Sequence, residues 1–233
     1  MTGGNEDDVY GALRDAIFEQ RLAPGTRLRE EALATIFSVS RAVVRRALAR
    51  LSYDKLVDMR RHRGAVVAHL TVEEARAVFA ARRLVEQALI ALCAAKVRGK
   101  DIAALRRLTA REANCARRGE RARWIRLSGE FHLALARLAG NAPLADFLGH
   151  LVARTSLSIA LYGNAGGQAC VGADHARIVD ALAQGDTATA SALMLAHLER
   201  CEAALRFSAP PASSDLDAVF ARQRADRAPY SAA

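Results

Sequence analysis

At 233 residues, 52% of them apolar, the chain has material for one large domain or two ordinary ones, and core burial does not limit it. The four cysteines Cys93, Cys115, Cys170 and Cys201 show no Cys-x-x-Cys pair and no metal-ligand spacing, and Cys93 and Cys201 fall on apolar helix faces as small core residues. A net charge of +9, carried almost wholly by arginine, favours an anionic partner without separating nucleic acid from acidic protein or membrane surface.

No secretory h-region and no apolar run long enough to cross a bilayer is read in the sequence, so a reduced, cytoplasmic location with no membrane partner is expected. Residues 1 to 7 are small and polar and are expected to fray. Asp7 or Asp8 caps a helix running to about Gln20, with Val9, Leu13 and Ile17 as its apolar stripe. Pro24-Gly25 fixes a turn, and Arg29 to Phe37 forms a short helix. Ser40 then stands at an N-cap, followed by Val44, Ala47, Leu48 and Leu51 at i, i+3, i+4 and i+7. The other side of that helix carries Arg41, Arg45, Arg46 and Arg50. Leu56-Val57 and Ala65 to Val67 read as two strands around a basic tip, Arg60 to Arg63, which ends in Gly64.

From Arg41 to Arg63, eight Lys or Arg stand against two Asp. Arginine on a helix surface is most often only a solvated face. Here the arginines cluster at the N-terminal half of the helix, a partner helix precedes it, and a second basic tip follows. Residues 1–70 therefore read as a winged helix-turn-helix whose third helix enters a DNA major groove.

Composition changes at Leu70, beyond which no strand-like alternation is found. Thr71-Val-Glu-Glu74 is a capping box opening a helix to about Val97. Further helices are expected over about Asp101 to Arg118, Glu120 to Ala139, Pro143 to Leu161, Gly172 to Ala183 and from Gly185-Asp186 to about Phe207. A Gly-rich loop lies between Tyr162 and Val171. The fold class is thus mainly α: a winged helix-turn-helix followed, over residues 71–207, by a six-helix antiparallel bundle. Residues 208–233 are expected to be a flexible tail, with a turn of helix near Leu216 to Arg222 or nothing ordered.

His132, His175 and His197 fall on the inward stripes of three different helices. A lone inward histidine is usually a satisfied core side chain, but imidazoles from separate helices are also how bundles build metal sites. Catalysis is not supported. The chain has no His-Glu-x-x-His helix and no paired Glu-x-x-His, and the i, i+4 pair Ser128 and His132 lacks an orienting acid or oxyanion loop. The protein is not read as an enzyme.

These residues resemble the GntR family of bacterial regulators, in its FadR-like branch with an FCD ligand-binding domain, from about Val9 to Phe207. The resemblance rests on Leu28-Arg29-Glu30-Glu31, Val39-Ser40-Arg41, Val44-Arg45, Ala47-Leu48 and Arg63-Gly64-Ala65-Val66-Val67. In the second half it rests on Arg82-Arg83-Leu84-Val85-Glu86, Phe131-His132, Gly140-Asn141, Asp174-His175 and Ala196-His197-Leu198.

The resemblance implies DNA contacts from Arg29, Ser40, Arg41, Arg45, Arg46, Arg63 and Gly64, with the Arg63-Gly64 pair reaching the minor groove. It implies a homodimer on double-stranded operator DNA, and a metal site in which an Asp and three His surround a divalent ion. Here Ser128 stands at the Asp position. The carboxylate is missing while His132, His175 and His197 remain, a donor set suited to zinc or nickel. Ser38 replaces the family's turn glycine, Val43 its proline, and Arg46 a glutamate.

The functional expectation is a ligand-responsive transcriptional repressor whose effector is a small organic acid bound near the three histidines, with Arg82 and Ser128 as ligand-binding candidates. For Arg82, an i, i+4 ion pair with Glu86 is the competing assignment. Two alternatives to the whole reading are a DNA-binding dimer with a purely structural bundle and a helical metalloenzyme.

Overall fold

The first helix takes its start from a side chain other than the expected Asp7 or Asp8. In the computed structural model, which describes residues 5–60, 64–163, 168–207 and 215–221 (backbone alone for 168–172), α1 spans Glu6–Phe18. Asn5 accepts from the Asp8 amide at 2.9 Å while the Asp8 carboxylate accepts from the Asn5 amide at 3.1 Å, a reciprocal cap. Asp8 is thus the third helical residue, and α1 ends at Phe18, short of Gln20.

A two-residue strand, β1 (Arg27–Leu28), follows the Pro-Gly turn. Next comes α2 (Glu30–Phe37), which places Arg29 at its N-cap. Ser38 closes α2 in the left-handed region, φ +53°, so this serine carries the strain a glycine would avoid. α3 spans Arg41–Tyr53. The Ser40 hydroxyl accepts from the Val43 amide at 3.3 Å, and Val44, Ala47, Leu48 and Leu51 are all fully buried. The wing strands are β2 (Val57–Arg60) and β3 (Gly64–Val67), and the described strands form an antiparallel sheet in the order β1-β3-β2. β1 was not expected, because two residues are too short to display alternation.

The second unit begins at residue 70. The Thr71 hydroxyl and Glu74 carboxylate close the expected capping box at the head of α4 (Val72–Lys96). α5 (Gly99–Arg117) starts ahead of Asp101, whose carboxylate caps the Arg98 amide at 3.0 Å. α6 (Arg121–Ala139) stops at Gly140 with φ +63°, and Asn141 caps α7 (Ala142–Tyr162). α8 (Gln168–Ala183) begins ahead of Gly172, and α9 (Thr187–Ala203) ends short of Phe207.

These six described helices enclose one apolar core, drawn from Leu89, Ile90 and Cys93 of α4, Ile102 and Leu105 of α5, Phe131 and Leu135 of α6, Leu148 and Val152 of α7, Ile178 and Val179 of α8, and Met194 and Leu198 of α9. α7 corrects one expectation. With 21 residues and a mean hydropathy of 1.2 over its most apolar window, it is long and apolar enough to cross a membrane. Leu148, Leu151, Val152 and Leu157 are nevertheless buried in the bundle, and that burial accounts for its composition.

Of the two expectations for the stretch near Leu216 to Arg222, the structure has the turn of helix, and it is held in place. Asp215 caps α10 (Leu216–Val219), which packs on α2 in the N-terminal unit. Phe220 is fully buried with its ring 5.2 Å from that of Phe37, and Arg21 donates to the Val219 carbonyl at 3.0 Å. Apolar side chains at positions 216 and 220, one helical turn apart, allow even one turn to be held by the core it reaches.

Candidate nucleic-acid interface and metal centre

In the N-terminal unit, the start of α3 and the wing border an open cleft of about 850 Å³ whose lining includes Arg27, Arg29, Arg41, Arg45, Arg60 and Gly64. Arg41 is exposed and forms no ion pair among the described residues. Arg45 donates through Nε and Nη2 to the Glu30 carboxylate, at 2.9 Å for the shorter contact, yet its side chain remains 64% exposed. The hydrogen bond from Arg45 holds the Glu30 carboxyl below its usual range, burial working against it and the charges of Arg45 and Arg41 adding to it. Ser40 is exposed although its hydroxyl serves the cap.

Arg46, assigned a DNA contact, is engaged within the unit. It is paired with Glu6 of α1 at 2.9 Å, and Arg50 is likewise paired with Asp7 at 2.6 Å and lies over the Tyr10 ring at 4.0 Å. Gly64 also has a role in the fold itself: φ is +78°, and an added Cβ would sit 2.5 Å from the Leu28 carbonyl oxygen, where β3 meets β1. Arg63 lies outside the described residues. Arg27 and Arg60 join the cleft although neither was assigned a DNA contact. Arg27 becomes visible as a site residue only once β1 pairs with β3.

In the C-terminal unit, His132 of α6, His175 of α8 and His197 of α9 converge, with a ring nitrogen from each lying within 4.8 Å of the others. Their outer nitrogens are engaged. His132 Nδ1 lies 2.6 Å from Glu86 Oε2, His175 Nδ1 lies 2.7 Å from Glu112 Oε2, and His197 Nδ1 lies 3.4 Å from Asp174 Oδ2, which Arg200 also holds at 2.7 Å. Burial and the Arg82 charge push the His132 imidazole well below its usual range, outweighing Glu86, so it is neutral near pH 7. A neutral imidazole that donates its Nδ1–H to a carboxylate turns an Nε2 lone pair inward, as a metal ligand must.

His175 Nε2 and His197 Nε2 face each other at 3.1 Å, a contact that needs a cation or a proton between them. Zinc–nitrogen bonds of about 2.0–2.1 Å at tetrahedral angles separate two ligand nitrogens by about 3.3 Å. The residues present therefore fit a divalent ion held by three imidazoles, each backed by a carboxylate.

Ser128, one turn before His132, lines a cavity of about 10 Å³ together with Arg82, Trp124 and His132. Arg82 is 3% exposed and pairs with Glu86 at 2.5 Å, and its Nη1 donates to Thr155 Oγ1 at 2.8 Å. The intrahelical ion pair is thus present, and Arg82 Nη2 alone lacks a partner. The carboxylates Glu86 and Glu112 were missed as supports of the histidines. Glu112 left a signal: it continues the stripe of Ile102, Leu105 and Thr109, and a charge on an inward stripe needs a buried partner.

Residues 5–67 match the family of bacterial regulatory proteins called gntR, and residues 77–200 match the FCD domain. The transcriptional regulator LutR of Bacillus subtilis is 30% identical over 78% of this chain and 92% of its own length. A regulator in an unstable DNA locus of Streptomyces ambofaciens is 31% identical over 83% of this chain and 82% of its own. Among solved structures, a GntR transcriptional regulator from Rhodococcus sp. RHA1 aligns with a TM-score of 0.69 at 28% identity, covering 85% of this chain and 95% of that one. McbR/YncC of E. coli shares the fold with a TM-score of 0.69 at 19% identity, over 84% of this chain and 93% of that one. Two exposed arginines at the head of a recognition helix, and a bundle built around three histidines, thus sit where two family descriptions meet: the chain belongs to the GntR family of bacterial transcriptional regulators and carries that family's helix-turn-helix domain with an FCD domain after it.

Proposed function

We propose that the protein is a cytoplasmic repressor that binds a two-fold operator as a homodimer. A small carboxylate-bearing metabolite, together with a divalent ion in the bundle, sets its DNA affinity. The observation that carries the DNA limb is the exposure of Arg41 and Arg45 at the N-terminal end of α3, bordering a cleft open enough for a duplex edge. Arginine bidentate to guanine O6 and N7 is the commonest specific base contact, and Arg41 and Arg45 take that role. Arg29, Ser40, Arg63 and Gly64 contribute backbone contacts that set register. A relative described as the repressor RspR of E. coli, 27% identical over 56% of this chain and 58% of its own length, supports the direction of control.

His132, His175 and His197 would hold the ion, and bound there it would supply a positive charge that draws a carboxylate towards the bundle interior. The chain's own part is to hold three imidazoles aimed inward, through Glu86, Glu112 and Asp174. An effector with unequal affinity for two domain arrangements then shifts DNA affinity by that difference.

The purified protein footprinted across its genome would yield the operator for testing. Arg45→Ala is expected to weaken operator binding by about 1–3 kcal/mol, and an unchanged gel shift would refute the placement of α3 in the groove. Arg46, once released from Glu6, would add a phosphate contact. Arg46→Ala should therefore flatten the log-affinity against log-salt line by about 0.9. Elemental analysis that finds no divalent ion, together with no uptake of added zinc, would remove the metal limb.

A further inference from the structure

The bundle carries most of the protein's excess charge, although its apolar core and its histidines do not require it. Residues 70–208 hold 19 Lys and Arg against 13 Asp and Glu, whereas residues 1–69, which contain the recognition helix, hold 12 against 9. Part of that surplus is concentrated on one helix. Along α5 and its C-cap, Lys100, Arg107, Arg111 and Arg118 fall within about 20° of a single line at 3.6 residues per turn, and the line is about 27 Å long. All four are exposed, on the side opposite the buried Ile102, Leu105 and Thr109. Ala104 and Asn114, exposed between them, bring neither charge nor bulk to shield the guanidinium groups.

The carboxylates nearby are already committed elsewhere. On α5 itself, Asp101 caps the first turn and Glu112 is buried against His175. Asp180 of α8 takes Arg106, and Glu120 is shared by Arg118 and Arg123. Lys100, Arg107 and Arg111 form no ion pair among the described residues. Arg107 and Arg111 stand four apart, a spacing at which like charges repel and weaken the helix. Such a conflict between sequence and fold, left without an internal partner, is what an external anion resolves. Duplex DNA suits the row: about 27 Å spans about eight base pairs, with a negative charge about every 1.7 Å of axis. The planar guanidinium matches a phosphate. A protein held on its operator also meets the flanking duplex at the high effective concentration its own tether sets.

We propose that the cationic stripe of α5, Lys100, Arg107, Arg111 and Arg118, is a second DNA-contacting surface, which grips the phosphate backbone of duplex flanking the operator without reading its sequence. The inference rests on the operator-binding reading above and adds a non-specific limb carried by the bundle. Each phosphate neutralised there releases counterions, so the limb acts through affinity and salt dependence and leaves base preference unchanged.

The operator recovered by footprinting is prepared as two duplexes, one trimmed to the protected base pairs and one extended by about 20 unrelated base pairs on each side. The native chain is expected to bind the extended duplex on the order of tenfold more tightly, with a steeper log-affinity against log-salt line. Arg107→Gln combined with Arg111→Gln should bind the trimmed operator as the native chain does. It should lose most of the gain from the flanks and flatten the extended duplex's line by about 1.8. Hydroxyl-radical protection beyond the operator edges should shrink in the same variant. Arg107→Lys combined with Arg111→Lys, which keeps both charges, should keep the gain. Equal affinity of the native chain for the two duplexes overturns the surface and leaves the operator reading standing. A full flank gain in the glutamine variant, or its equal weakening on both duplexes, does the same. So does binding of polyglutamate by the native chain alone with no flank gain, which gives the stripe to an acidic protein. Failure of the native chain to bind either duplex overturns both.

Discussion

Glu86 shows how much one buried side chain can carry. Burial alone would raise its carboxyl, but the His132 imidazole and the Arg82 guanidinium hold it down, to about 2. The folded state therefore binds this proton less readily than the unfolded chain. Its stabilisation, on the order of 3 kcal/mol, is complete above about pH 4.5 and is lost as pH falls towards 2. His132 acts in the same direction at higher pH. Its folded form resists the proton, so stability declines as pH falls through the unfolded value near 6.5. Glu86→Gln, which strands the Arg82 charge, is expected to cost about 3–5 kcal/mol at pH 7. The gap to the native chain should narrow as denaturant midpoints are measured at pH 5 and then 3. Ser38 is the converse case. Its left-handed φ of +53° costs about 1–2 kcal/mol, so Ser38→Gly should stabilise the N-terminal unit by about 0.5–1 kcal/mol after the extra unfolded-state entropy of glycine is subtracted.

At the scale of elements, the recognition helix is held in place by acidic groups that flank it. Glu30 of α2 holds Arg45, while Glu6 and Asp7 in the first turn of α1 hold Arg46 and Arg50. Exposed pairs of this kind are worth at most about 1 kcal/mol, so phosphates can displace them, and until then they keep the arginines ordered. α10 contributes differently. Its short turn delivers Phe220 to the core beside Phe37, and Phe220→Ala should destabilise the N-terminal unit by about 3–5 kcal/mol, seen as a lower melting temperature. A chain with a dispensable tail would show no shift.

For the whole molecule, the division into a DNA-binding unit and a bundle separates two chemistries, and added zinc is the means of telling them apart. An ion that binds only the folded bundle adds about 2.7 kcal/mol at a hundredfold excess over its dissociation constant. Zinc should therefore raise the bundle's thermal transition and a chelator should lower it, while Phe220→Ala shifts the other unit's transition. If zinc moves neither, the three histidines are core packing.

Much of this was legible in the sequence because the signals are local. Thr71 with Glu74, Asn141 ahead of Pro143, Gly140 and the apolar stripe of α3 act within a turn or two of chain, where spacing alone fixes what can touch. The positions of His132, His175 and His197 on inward faces follow from the same periodicity. What sequence could not fix are contacts made across elements: β1 exists only by pairing with β3, α10 only by reaching α2, and Glu86 and Glu112 back the histidines only because α4 and α5 lie in one register against α6 and α8. The identity of each side chain sets what it can bond to, but which partner arrives is decided by how the helices pack, since burial makes every unpaired polar group costly and leaves few arrangements that satisfy them all.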